Sequence, residues 1–577
     1  MEKDWVVDDD MSERYPIFTR GNVGEVFPDP VAPFTWSLIG FSGSELGWRD
    51  AFARFGAIDH DELRPDGNEV LTCFGGYCYL NVSLSRLLGA RTPGMTPEMI
   101  DYSLFGEQAG IPPYEPREGD EDPAKSARIE QTLGWIVSAE DVPDSREHQR
   151  EIDALRDARP DLSTLSDTEL LARARELMHT HFRPLFAQHL FNSYCAIVGA
   201  GIVGTVAAEL GDPTMSMRLV AGIGDVDSAA PSWAMWDLGR MAASSGVLTA
   251  AFDAGVDGLL DRLRADGGDD ATKLLAAFDD FLHAFGSRGP NEWEMRSPTW
   301  ETHPVLALTA IDRMRVSPES SAPTMSNEDR VADREALTAT ITEQLAGNPE
   351  VQGQFLAGIR AASLFLAARE RSKTTIVKLI NECRVAMHEL GRRLVAAGKV
   401  EQVEDFGLMI DQEFDDFLAD PAAFRDVIRE RRARMEELAT LQPPFILVGE
   451  LVPTSSWERR GANAVEQLQA GQELTGIPGC PGVATGRARV ILDQAEGGRL
   501  EPGDVLVTAI TDPSWTPLFV PAAAVVVDVG AQVSHAVIVS RELGIPCVVS
   551  VTDGTRKIPD GAMVEVDGTN GTVRIVG

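Results

Sequence analysis

The stretch VGAQVSHAVIVSRELGIPCVVSV, Val529 to Val551, joins two apolar runs through a short helical segment. The run from Ala523 to Val529 predicts a strand that leads in, and Cys547 to Val551 predicts a second strand. Gly530 marks a turn between them. Ser534 has the chemistry of an N-cap, Gly544 stands just past the helix, and Pro546 stops it from continuing. His535 therefore falls in the first helical turn, where free N–H groups and the positive end of the helix dipole gather. An anion carried on that imidazole is stabilised by its location. The placement suits a histidine that takes up a phosphoryl group and gives it away. A helix-start histidine without chemistry is the alternative.

The words around His535 resemble the signature of the phosphohistidine swivelling domain of phosphoenolpyruvate-utilising enzymes and dikinases. The match runs through Gly530, Ser534-His535-Ala536 and Arg541-Glu542-Leu543-Gly544-Ile545-Pro546. The family usually has two glycines where this chain has Gly530-Ala531. Upstream, GIPGCPGVATGRARV (Gly476 to Val490) and LEPGDVLVTAITDPSWTPLF (Leu500 to Phe519) resemble that domain's opening strands and loop. The resemblance implies that His535 carries the phosphoryl group.

With 577 residues the chain has room for more than one core. A net charge of -37 opposes binding to nucleic acid or to an anionic membrane. The six cysteines form no CxxC pairs, so neither a zinc site nor a disulfide framework follows, and a reducing cytoplasm fits. The acidic N-terminus has no apolar signal core, and no uncharged apolar run reaches membrane-span length. His179 and His181 are two apart, on different helix faces, and do not read as a metal site. No metal is expected in the chain itself.

Composition shifts along the chain. Arg20 to Gly40 is rich in Pro and Gly and reads as extended. Phe74 to Gly89 starts strand-like and ends helical. From about Thr132 to Leu438 the period is helical, with Asp167 as a cap and Val351 to Ala397 as either two helices or a bent one. GAGIVG (Gly199 to Gly204) matches GxGxxG but follows no suitable strand, so it reads as a helix-packing cluster. The expected architecture is a large, mostly α-helical domain over 1–440, a linker over 441–472, and a small α/β swivelling domain over 473–577.

Arg369 and Lys373 in AARERSK are four apart and share a helix face, a plausible phosphoryl clamp, with a solvated basic patch as the alternative. Arg371 lies off that face and reads as a surface or salt-bridge residue. Arg288 and Glu292, also four apart, read as an ion pair fixing the RGPNE loop and are candidate substrate-binding residues. Trp36, Trp293 and Trp300 are candidates to line an aromatic acceptor pocket, with burial in the core as the alternative.

Several blocks resemble the acceptor-binding domain of the rifampin-phosphotransferase-like branch of the same superfamily. They are Asn22 to Ser37, Gly75 to Asn81 with LGARTPGMTPEMID after it, Phe285 to Pro304, and Ala367 to Gly407. Ser287 departs from the family, which often has His there. The resemblance places Arg369 and Lys373 beside the acceptor hydroxyl. It also implies an ATP-grasp domain that these residues do not supply, so the expected donor is a separate ATP-grasp subunit holding ATP and Mg²⁺, as in phenylphosphate-synthase-like enzymes. ATP would leave as AMP and phosphate, and the acceptor would be a small phenolic or alcohol hydroxyl. The alternatives are a rifampin-like antibiotic phosphotransferase component and a non-catalytic phosphocarrier.

Overall fold

The computed structural model describes residues 3–105, 110–211, 215–223, 230–317, 319, 327–460, 466–511, 515–530 and 534–576. The chain forms two compact units. Unit 1 takes in Met1–Ser216, Trp293–Ser297 and Ala339–Ala462, and unit 2 takes in Met217–Glu292, Pro298–Thr338 and Asn463–Gly577. Residues 217–292 and 298–338 thus group with the C-terminal α/β segment, a division that linear boundaries at 440 and 472 do not follow.

Unit 1 is mostly helical. Its longest element is a single continuous helix, Pro349–Ala396, of 48 residues, where the sequence left open two helices or a bend. The only proline sits at its first position, where the missing N–H costs nothing. This helix lies along a second, Arg183–Glu209. Gly199 permits their approach, because a Cβ there would stand 2.4 Å from the backbone nitrogen of Ala362. Of the three glycines in the GxGxxG match only Gly199 is a packing site; a Cβ on Gly201 or Gly204 would meet nothing within 4 Å. Two stretches, Asp167–Glu209 and Pro349–Ala396, are long and apolar enough to cross a membrane by length and composition, which corrects the expectation of none. Phe186, Phe191 and Cys195 of the one and Phe365, Ile376 and Leu379 of the other share the core of unit 1. The helix Asp167–Leu177 is capped by Ser166 rather than Asp167. Ser166 accepts from the Glu169 N–H at 3.3 Å while the Glu169 carboxylate accepts from the Ser166 N–H at 2.7 Å.

Four antiparallel strands complete unit 1 among the described residues: β1 (Ile17–Thr19), β2 (Leu71–Phe74), β3 (Tyr77–Asn81) and β4 (Ile446–Val448), in the order β2-β3-β1-β4. Gly75 and Gly76 turn the β2–β3 hairpin at φ 55° and 79°, which side-chain-bearing residues resist. The Trp457 ring leaves no room for a Cβ on Gly75. Both β4 and Trp457 fall inside the expected linker. Pro443 and Pro444 end the preceding helix but do not prevent an edge strand. At the far side, the N–H groups of Leu468 and Gly471 donate to Lys557 and Ile575, each at 2.8 Å. Arg20 to Gly40, expected as extended, contains short helices at Val23–Val26 and Pro33–Ile39, the latter started by Pro33.

Unit 2 has a helical part with its own core, including Trp236, Phe252, Phe278, Phe281 and Trp300. Its α/β part holds eight described strands: β5 (Glu473–Thr475), β6 (Ile477–Cys480), β7 (Val483–Val490), β8 (Val505–Thr508), β9 (Ala524–Val527), β10 (Cys547–Val549), β11 (Met563–Asp567) and β12 (Thr572–Ile575). Their order is β5-β12-β11-β7-β8-β9-β10-β6, with β7 through β10 parallel. Both faces of that parallel section are covered, which is why its strands read as unbroken Val runs. Leu506, Val525 and Val527 pack with Phe519 and Val537, while Val505, Val507 and Val526 pack with Val564, Val566 and Val573. The turn Thr516–Phe519 lies against the helix Ala230–Ala243, and Val520 touches the helical core.

Candidate functional site

The helix His535–Leu543 connects the parallel strands β9 and β10. Gly544 ends it with φ 69°, as its position past the last turn requires. Ser534 occupies the N-cap position in extended conformation, but its hydroxyl makes no cap hydrogen bond and, among the described residues, is buried without a hydrogen-bond partner. The expected side-chain cap is not made. Arg541 donates from Nε to the Gly479 carbonyl of β6 at 3.0 Å, which fastens the other end of the helix.

His535 is 9% exposed. Its Nδ1 lies 3.1 Å from Oγ1 of Thr511 and its Nε2 lies 3.2 Å from Oγ1 of Thr516. The Phe519 ring stands edge-on at 6.0 Å. Neutral imidazole has one donor and one acceptor nitrogen, and a threonine hydroxyl serves either. The two hydroxyls therefore hold the ring while leaving its tautomer open. The Ser534 hydroxyl and the N–H groups of the first helical turn lie at the same end of the helix as the ring. Residues 512–514 and 531–533 lie outside the described residues, and Ala531, the departure from the signature, is among them.

A second constellation lies in unit 1. Arg369 and Lys373 are both partly exposed on the long helix. Arg369 Nη1 is 2.9 Å from Glu370 Oε1. Arg371, expected as a surface or salt-bridge residue, is buried. Glu25, from the short helix Val23–Val26, feels Lys373 and Arg369 as its charged neighbours. Water reaches Glu25 in part, yet protein atoms crowd it. Burial raises its carboxyl from 4.5 to about 7, with Lys373 and then Arg369 opposing the rise. His189, from the helix Arg183–Glu209, places Nδ1 3.3 Å from the Arg369 carbonyl oxygen and 3.1 Å from Ser372 Oγ. A carbonyl only accepts, so Nδ1 carries the proton and Nε2 the lone pair. Burial, then the Arg369 charge, lowers His189 to about 3 and keeps it neutral. Its ring tilts against Trp293 at 6.2 Å.

Of the residues singled out from sequence, Arg369, Lys373 and Trp293 come together in unit 1. Trp36 is also in unit 1, buried, with Nε1 donating to Asp9 at 3.2 Å. Arg288 and Glu292 belong to unit 2 and form the expected ion pair at 3.2 Å, with side chains 5% and 1% exposed. Trp300 is in the core of the helical part of unit 2, so the three tryptophans do not line one pocket in a single unit. Glu25 and His189 escape the sequence reading. Glu25 stands inside the Asn22-to-Ser37 block, a signal that was available. His189 looks like any helical histidine.

Residues 181–370 match the family described as the rifampicin phosphotransferase fourth domain, and residues 500–571 match the mobile domain of PEP-utilising enzymes. Over 592 residues the chain is 26% identical to an uncharacterised protein of Mycobacterium tuberculosis, covering 99% of this chain and 62% of that protein. It is 32% identical over 333 residues to a rifampicin phosphotransferase of Streptomyces sviceus, covering 56% of this chain and 37% of that protein. It is 31% identical over 305 residues to the prodigiosin synthesizing transferase PigC of Serratia marcescens, covering 52% and 33%. The chain thus spans less than two thirds of the length of these relatives.

Proposed function

We propose, from the premise that this chain belongs to the phosphoenolpyruvate-utilising superfamily with rifampicin-phosphotransferase-like relatives, that it is a phosphotransferase working through phospho-His535. The observation that carries the reading is the setting of His535: a first-turn imidazole held by two neutral hydroxyls beside an unengaged serine. We assign the carrier to residues 473–577 and the acceptor to unit 1, beside Arg369 and Lys373.

In this reading a separate ATP-grasp subunit holds ATP and Mg²⁺ and phosphorylates His535, releasing AMP and phosphate. The covalent intermediate divides one difficult transfer into two easier ones. A small phenol or alcohol then attacks the phosphoryl group while Arg369 and Lys373 offset the charge that develops on it. A phenol, with a pKa of about 10, needs less help than an alkyl alcohol. The buried thiols of all six cysteines support a cytoplasmic setting.

Phosphoramidate, which phosphorylates histidine chemically, tests the carrier without the subunit. The expected product is acid-labile phosphate on His535, absent from His535→Ala. That phosphoprotein is then offered phenol and rifampicin. Transfer to phenol supports the reading, transfer to rifampicin alone favours the bulky-acceptor alternative, and transfer to neither favours a phosphocarrier. Mixing the chain with an ATP-grasp subunit and ATP tests the donor: absence of AMP overturns the split arrangement.

A further inference from the structure

We propose that Trp293 and His189 bind the acceptor hydroxyl between them, the indole N–H donating to its oxygen and the imidazole Nε2 accepting from its O–H. The proposal deepens the phosphotransferase reading above and rests on it for an acceptor that is a hydroxyl compound. Both residues belong to unit 1, and their rings stand 6.2 Å apart, tilted by 46°.

Trp293 supplies the donor. It is 5% exposed, and its Nε1 is buried with no hydrogen-bond partner among the described residues. A buried indole N–H is ordinarily paired, because an unpaired one has lost its bond to water. The other buried tryptophans among the described residues of unit 1 follow that rule. Nε1 of Trp5 donates to the Val31 carbonyl at 2.9 Å, that of Trp36 to Asp9 at 3.2 Å, that of Trp48 to Tyr194 at 2.7 Å and that of Trp457 to the Val452 carbonyl at 2.9 Å. Trp293 alone among them keeps its donor unspent. The Phe186 ring crosses it edge-on at 6.0 Å.

His189 supplies the acceptor. Its Nδ1 lies 3.3 Å from the Arg369 carbonyl oxygen and 3.1 Å from Ser372 Oγ. The Ser372 hydroxyl donates to that same carbonyl at 2.9 Å, so its proton is spent and it accepts from the ring. Both contacts therefore demand Nδ1–H and leave the lone pair on Nε2. No described residue bonds to Nε2, and the ring is partly exposed. Asn192 Nδ2 donates to the Ala368 carbonyl at 3.2 Å and ties the same two helices together, which keeps the ring in register with the Arg369 turn.

An unpaired donor beside an unpaired acceptor matches a group that is both. A hydroxyl is; an ether, a carboxylate or an ammonium is not. The rings of Trp293 and Phe186 suit an aromatic body behind that hydroxyl. Its oxygen accepts from Trp293 through one lone pair and keeps another for phosphorus. The bond from His189 to the Arg369 backbone sets this hydroxyl at the turn whose side chain, in the proposed transfer, meets the phosphoryl group.

The test reads binding to the full, unphosphorylated chain by titration calorimetry, with phenol and toluene as probes. The two share a shape, and only phenol both donates and accepts. The wild-type chain is expected to prefer phenol by at least about tenfold. Trp293→Phe keeps an aromatic ring without the N–H and should cut that preference about fivefold. His189→Asn keeps a donor for the Arg369 carbonyl but puts nothing at the Nε2 position, and should cut it about as much. His189→Gln, which reaches the Nε2 position with an amide oxygen, should retain most of it. A merely structural histidine would give the reverse order, with His189→Asn spared and His189→Gln impaired. Should one variant fail to fold, as a thermal melt would show, the remaining variants and the wild-type preference decide. Equal binding of the two probes by the wild-type chain, or an undiminished preference in the variants, overturns the proposal. A preference for phenol that both substitutions lower, in a chain whose phospho-His535 delivers nothing to phenol, keeps the hydroxyl site and overturns the transferase reading.

Discussion

The His535 site and the Arg369–Lys373 site differ in the groups that surround them: two hydroxyls at the one, two cations near a carboxyl and a neutral histidine at the other. Two threonine hydroxyls stand at hydrogen-bond distance from the His535 ring nitrogens. In unit 1 the charges of Arg369 and Lys373 act on both Glu25 and the buried, neutral His189. A carrier nitrogen must bond to phosphorus and later release it, so weak neutral contacts serve it; each is worth about 1 kcal/mol. A receiving site must steady the charge spread over a transferring phosphoryl group, and fixed charges do that. In the proposed transfer, exchange of partners governs the carrier end and the standing field governs the acceptor end.

Substitutions can break that comparison. The largest effect is expected from His535→Ala, which should abolish both acid-labile phosphate and transfer, read with labelled phosphoramidate. Next, Arg369→Ala should leave His535 phosphorylation intact and slow transfer by about 10²–10³-fold. Arg369→Lys should restore little, because an ammonium lacks the paired donors of guanidinium. A third change separates the regions mechanically. Gly199→Val forces apart the helices that carry His189 and Arg369, at a cost of about 1–3 kcal/mol, which a lowered melting temperature would show. Transfer should suffer while phosphorylation of His535 does not. The smallest effect belongs to Thr516→Val, where losing one neutral hydrogen bond worth about 1 kcal/mol should change phosphorylation kinetics only several-fold.

The sequence discloses these two regions unequally, for a physical reason. The strand, turn, helix and capping glycine around His535 are contiguous, so local preferences record them in order. The unit 1 constellation draws on Glu25, which feels both cations, and on His189, Trp293 and the Arg369–Lys373 turn, which tertiary packing brings together from distant positions. Helical spacing reveals the last pair, whereas no local pattern links a glutamate near residue 25 to a lysine near residue 373. Strand β4 was hidden similarly: Ile446–Val448 is too short to declare itself, and its pairing with β1 is what makes it a strand. Arg371, off the Arg369–Lys373 face, left a surface and a salt-bridge reading open, and only the packing of neighbouring elements shows that it is buried.

The pairing of β1 with β4 also sets a timetable. Phe18 is opposite Leu447, so the ribosome releases the first strand roughly 430 residues before its neighbour. At about 5–20 residues per second, that delay is on the order of half a minute. Throughout it, the outer edge of β1 offers unpaired N–H and C=O groups to any passing chain. Synthesis stalled before Ile446 should therefore yield aggregates rather than a soluble intermediate, and newly made chains should lean on chaperones until translation passes that strand.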